Sequence, residues 1–331
     1  MRASWRVYLF ILLVSLWAVN SGCLTPRTAV AGEKVAYRLK WLINASTAGD
    51  VFAASQGFFA ARGLDVDVKA GGPERDAIRE LELNYAQFGV ASADQVIRAL
   101  AKGASVVVLA QLFQVNPLQW IYRTKDCTIK KTQDLAGRTV GITYGGNDET
   151  IMRALLASAG MTEGQVRLAS VRYDYTPFLN GSVSIWPVYR NTQGIYLTDK
   201  LASAGEQVAF FDPSDHGVRF VANSVVTSQK MIDQHPDMAK RFVRALLAGW
   251  EAAMNPANET EVIQALAKSD PDTLPETMRR QLAVTRRMVQ PDPTVPLGRI
   301  DKSAWQQTEQ IMVAQKLVPD QVGVVERLVE P

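Results

Sequence analysis

The side chains in this sequence that suit chemistry are rings, amides and a few charges placed just beyond short apolar runs. Trp41 and Asn44 follow the run 35–42. A ring there can stack on a flat heterocycle while an amide bonds its edge, although Trp41 also fits a core position. Ser92 and Asp94 follow the run 87–90, where Ser92 can read a ligand or simply cap a helix. Gln114 and Asn116 follow 106–112. Tyr144-Gly145-Gly146-Asn147 is a turn whose glycines let backbone approach a ligand closely. The helix it opens would attract an anion, but Asp148 and Glu149 already occupy that end and complement its dipole. A sulfonate or nitrate would be repelled there, whereas an amino-heterocycle can donate to Glu149. Tyr173 and Tyr175 precede Trp186-Pro187-Val188-Tyr189-Arg190-Asn191. Tyr189 can form the second face of an aromatic sandwich with Trp41, and Arg190 can anchor a carboxylate, phosphate or ring carbonyl.

Other chemistries lack their residues. No G-x-x-x-x-G-K-[ST], G-x-G-x-x-G, G-x-S-x-G, H-E-x-x-H or C-x-x-C occurs. Two Cys, Cys23 and Cys127, exclude a thiolate cluster. Two His, His216 and His235, have no His partner at metal spacing. No basic run suits nucleic acid. The inventory favours binding over catalysis, with no cofactor and no metal.

The elements that must position these residues alternate in period. Strands are expected at 35–42, 64–69, 87–90, 106–112 and 118–123, with helices at 51–61, 75–83 and 92–102 between them. A second unit opens at 135–138 and runs through strands 139–143, 165–172, 183–186 and 208–211, with helices 148–159, 175–179 and 190–204. After an extended segment 218–227 come helices 236–254, 256–268, 275–289 and 302–315. In the first of these, Phe242, Leu246, Trp250 and Met254 form one apolar stripe, which reads as core. Alternation of this kind gives an α/β fold with mostly parallel sheets. Two such runs joined near 120 and 220 imply two lobes: 34–122 with 220–331, and 123–219.

The first thirty-one residues read differently. Arg2 and Arg6 precede a thirteen-residue apolar stretch, 7–19, interrupted only by Ser15, too short for a bilayer core and suited to a secretory signal. Two cleavage points fit: Ala29-Val30-Ala31 before Gly32, and Asn20-Ser21-Gly22-Cys23, which resembles a lipobox that would lipidate Cys23. The chain carries 36 basic and 33 acidic residues, and three of the basic ones lie before Gly32. The excess charge belongs to the leader and implies no polyanionic partner.

Several blocks resemble one family in order. Leu39-Lys40-Trp41 with Asn44, the stretch 56–66 (QGFFAARGLDV), the stretch 88–96 (FGVASADQV), the stretch 134–141 (DLAGRTVG) and the stretch 174–181 (DYTPFLNG) are similar to periplasmic substrate-binding proteins of ABC importers. The family includes binders of thiamine pyrimidine precursors and the yeast-type pyrimidine synthases. The resemblance implies a type II periplasmic-binding-protein fold with a double crossover between lobes. It also implies a monomer that delivers a small ligand to a permease from the periplasm. Arg190 departs from the acidic or amide residue expected near that place in pyrimidine binders. The alternatives are a pyrimidine-synthase-like enzyme, which in the yeast-type relatives carries a Cys-rich motif missing here, and an exported sensor component.

Overall fold

The computed structural model describes residues 32–330 apart from Pro73 and Tyr173. The expected leader, both candidate cleavage points and Cys23 lie outside the described residues, as does Tyr173.

Ten strands form two five-stranded sheets. The strands are β1 (Glu33–Arg38), β2 (Leu64–Lys69), β3 (Phe88–Ala91), β4 (Val106–Gln111), β5 (Leu118–Arg123), β6 (Thr139–Ile142), β7 (Arg167–Ser170), β8 (Ile185–Tyr189), β9 (Val208–Phe211) and β10 (Ser224–Ser228). The first sheet has the order β2-β1-β3-β10-β4, the second β7-β6-β8-β5-β9. The chain crosses between sheets after β4 and again after β9, the double crossover expected of a two-lobed α/β fold. β3 and β4 are buried along their whole length, which is why they read as unbroken apolar runs, whereas the edge strand β2 alternates.

Three expectations change. The sheets are mixed: β10 runs antiparallel to β3 and β4, and β5 runs antiparallel to β8 and β9. Both are the strands entered directly from the other sheet. A strand that begins at the crossover runs away from it, opposite to neighbours that end there. For the same reason β5, expected to close the first lobe within 34–122, belongs to the second. The helix expected at 51–61 also stops early, at Ser55, because Gly57 takes a left-handed conformation and a short 3₁₀ turn follows at Ala60–Arg62.

The helix Pro236–Met254 packs on the first sheet through the expected stripe. Phe242 stacks on Phe88 with ring centroids 3.9 Å apart, and Trp250 is fully buried. It also lies against the helix Ala48–Ser55, and glycines set that approach. A Cβ on Gly49 would stand 2.0 Å from the Trp250 ring, and one on Gly249 would stand 2.3 Å from the Ala53 Cβ.

The two crossover segments bond to each other. The N–H groups of Leu112 and Phe113 donate to the Asn223 carbonyl at 2.9 and 3.2 Å, and the Asn116 amide donates to the Phe220 carbonyl at 3.1 Å. Asn116 therefore ties the crossover segments together and does not line the cavity described below. Among the described residues no helix is long and apolar enough to cross a membrane.

Candidate functional site

β1 ends at Arg38, earlier than the sequence pattern suggested, and the next residues leave the sheet. Leu39 still bonds the Lys69 carbonyl, and the Trp41 carbonyl accepts from Gly71 N–H at 2.9 Å. Gly71 has no room for a side chain, since its Cβ would lie 2.0 Å from the Leu39 oxygen. This close crossing turns Lys40 and Trp41 out of the sheet into a cavity between the two lobes.

The cavity has a volume of about 610 Å³, within the range of small-molecule sites. The first lobe supplies Lys40, Trp41, Asn44, Ser46, Thr47 and Asp50. The second supplies the loop Tyr144-Gly145-Gly146-Asn147 with Asp148, then Tyr175, Trp186 and Tyr189, and the crossover adds Asn223. Open α/β sheets hold ligands beyond the carboxyl ends of their strands, and β1, β6 and β8 end here. Tyr175 meets Trp186 edge-on at 6.0 Å and leans on Tyr196 at 5.8 Å, giving a rigid aromatic wall. Asn44 also caps the 3₁₀ turn Ala45–Thr47, its oxygen accepting from Ser46 N–H at 2.8 Å. Tyr144 is 55% exposed and forms part of the rim.

Three charged groups stand at the cavity, and two of them, Lys40 and Asp50, were not anticipated. Lys40 reaches across it, its ammonium donating to the Tyr189 hydroxyl at 3.1 Å. Burial alone would lower its pKa; Tyr189, Asp94 and Asp148 outweigh burial and hold it above its ordinary value. Asp148 is buried, which raises its pKa against the opposing hydrogen bond that Thr143 N–H donates at 2.6 Å. Asp50 is 1% exposed and accepts from the Tyr37 hydroxyl at 2.6 Å. Burial pushes its carboxyl up to about 7, even though Tyr37 and the nearby Trp250 indole favour the anion; the indole N–H itself makes no hydrogen bond of good geometry. Strand-end position marks Lys40 in hindsight, and a lone carboxylate inside an apolar helix marks Asp50.

Five of the residues expected at the ligand do not line this cavity. Glu149 turns back to its own loop, accepting from Gly145 N–H at 2.6 Å and pairing with Arg153 at 2.8 Å. Arg190 lies flat on Phe210, 3.8 Å from the ring centroid, where burial and then Arg287 lower its pKa. Asn191 is fully buried at the lobe junction. Gln114 lines a separate groove of about 990 Å³ on the first lobe and donates to the Gln111 and Arg299 carbonyls. Ser92 lines a smaller pocket of about 200 Å³ that shares Lys40, Trp41 and the 145–147 loop with the main one. Its hydroxyl donates to Asp94 at 2.6 Å, and it forms a capping box with Gln95. Among the described residues no group of three or more His, Cys, Asp or Glu is placed to hold a metal.

A family model described as NMT1/THI5 like matches residues 44–259, more than half of the sequence and most of this cavity. The chain belongs to the NMT1/THI5-like family. Its sequence relatives include a formylaminopyrimidine-binding protein of Halalkalibacterium halodurans, 24% identical over 306 residues and covering 90% of each chain. Another is the riboflavin-binding protein RibY of Chloroflexus aurantiacus, 25% identical over 323 residues, covering 90% of this chain and 86% of that one. Among solved structures, the periplasmic aliphatic sulphonate-binding protein SsuA of Escherichia coli superposes with a TM-score of 0.69 at 17% identity, covering 91% of this chain and 92% of that one. The family's two-lobed solute-binding fold is the architecture seen here.

Proposed function

We propose that this protein is an exported solute-binding protein of an ABC importer. It captures a small nitrogen-containing heterocycle, a thiamine pyrimidine precursor first, between its lobes and passes it to a permease as a monomer outside the cytoplasm. The observation that carries this is the cavity itself: aromatic planes from both lobes stand beside the acceptor oxygens of Asp50, Asp148 and Asn223. The Asn223 amide oxygen is buried without a hydrogen-bond partner, so a ligand N–H suits its chemistry. The pyrimidine-binding relative supports the same ligand class.

A sulfonate suits the site less well, although the sulphonate binder shares the fold. Three of the loop N–H groups that could meet an anion are spent within the protein: Thr143 on Asp148, Gly145 on Glu149 and Gly146 on the Thr143 carbonyl. A second reading, a flavin-sized ligand, is favoured by the cavity volume, which exceeds the needs of one six-membered ring, and by the riboflavin-binding relative. The cavity lining holds no Cys or His, which supports binding over thiol- or imidazole-based catalysis.

The test is a thermal-shift screen with 4-amino-5-hydroxymethyl-2-methylpyrimidine, its formylamino analogue, riboflavin and alkanesulfonates, followed by calorimetry. A ligand at a hundred times its Kd raises stability by about 2.7 kcal/mol, an easily seen shift. Binding of a pyrimidine supports the first reading and binding of riboflavin alone the second. Binding of a sulfonate alone overturns both.

A further inference from the structure

We infer that Asn191 is a closure latch: a positioning residue that sets ligand affinity by holding the lobes together, without touching the ligand. It follows β8 in the second lobe, yet its amide nitrogen donates to the Ser46 hydroxyl at 2.9 Å and to the Thr285 hydroxyl at 2.8 Å. Both partners belong to the first lobe, 145 and 94 residues away in sequence. Asn191 is 0% exposed and is absent from the cavity lining. Thr285 is held for the task, its own hydroxyl donating to the Gln281 carbonyl at 2.9 Å. Eight residues beyond the latch, the helix Gln193–Ser203 adds Asp199, which pairs with Arg280 at 2.6 Å.

The latch is poised rather than locked. Its two donated bonds favour closure, but the Asn191 amide oxygen is buried without a partner, as is the Gln281 side-chain oxygen. Opening returns those oxygens to water, so closing gains two hydrogen bonds and loses the hydration of the acceptors. Terms of opposite sign and similar size leave open and closed forms close in free energy. A modest ligand contribution then shifts the population, and part of the closed form exists without ligand.

This inference rests on the two-lobed binding reading, but its main test needs no ligand. Small-angle X-ray scattering of the full-length, ligand-free protein should give a radius of gyration below that of Asn191→Ala, whose lobes open. Thr285→Val removes one acceptor at nearly constant volume and should shift scattering the same way by less. It also decides the question should Asn191→Ala fail to fold. Equal scattering of wild type and Thr285→Val, with Asn191→Ala either equal as well or unfolded, overturns the latch. Where a pyrimidine or flavin binds, stopped-flow kinetics should show dissociation faster by roughly tenfold in Asn191→Ala, with association nearly unchanged, as loss of two buried hydrogen bonds in the closed form implies. A change confined to association overturns the latch. Failure of every probe to bind refutes the proposed ligand and leaves the scattering result to judge the latch alone.

Discussion

Asp50 makes the protein's stability depend on pH in a direction opposite to that of most carboxylates. Its folded carboxyl titrates at about 7, above the unfolded value of about 3.9. The native state therefore keeps a proton that the unfolded chain releases. Below about pH 4 both states hold it and Asp50 costs nothing. Between about pH 4 and 7 the cost grows, and above about pH 7 it is constant at about 4 kcal/mol. Asp50→Asn keeps an oxygen to accept from the Tyr37 hydroxyl and carries no charge. It should be more stable than wild type at pH 8, and that advantage should shrink by roughly 2.5 kcal/mol at pH 5, the part of the cost that linkage assigns to the interval. Urea titrations followed by tryptophan fluorescence measure this, with equal m-values as the control that the same surface unfolds. An advantage, or a deficit, that is the same at both pH values would refute the assignment of this carboxyl as the buried, proton-retaining group.

Other outcomes follow from the same geometry. Trp41→Ala and Tyr189→Ala should each weaken pyrimidine binding by about tenfold in calorimetry, and unchanged affinity in both would sink the aromatic sandwich. Arg190→Ala and Gln114→Ala should leave affinity within about twofold, because neither lines the cavity. Arg190→Ala should still lose about 1 kcal/mol of stability in urea with the stacking on Phe210 gone. Gly249→Ala should destabilise by about 3 kcal/mol, since the new methyl needs the space of Ala53; a wild-type urea midpoint would show that the helices part freely.

Elements with a clean period were legible in the sequence. β2 and the helices Pro236–Met254 and Pro275–Val289 appear at the expected residues because their patterns repeat at 2 or 3.6, and β5 and β9 do so as short β-rich runs between turns, β5 being buried along its whole length. Strand direction was not legible, since apolar periodicity is the same whichever way a strand runs, and only the crossover fixes β5 and β10. At the site, strand ends located Trp41, Tyr144, Tyr175, Trp186 and Tyr189. They did not say where the following side chains turn. After Tyr189 the backbone bends, Arg190 N–H bonding Pro117 and Thr192 N–H bonding Tyr189. Arg190 and Asn191 then leave in different directions, one to Phe210 and one to the lobe junction. Glu149 was misplaced because a carboxylate in the first turn of a helix reaches back to the loop N–H groups as readily as outward. Asp50 was missed because what makes it notable comes from Tyr37 and Trp250, distant in sequence and adjacent only in the fold.

The insertion of β10 between β3 and β4 has a consequence for the order in which the chain can fold. More than a hundred residues separate the end of β4 from the start of β10. Until those residues have been synthesised, the first sheet lacks the strand that joins β4 to the rest, and its two halves have no hydrogen-bonded seam. Long-range pairing of this kind forms late and slowly. An emerging chain thus keeps its first sheet incomplete until β10 has been made, well after the whole second sheet.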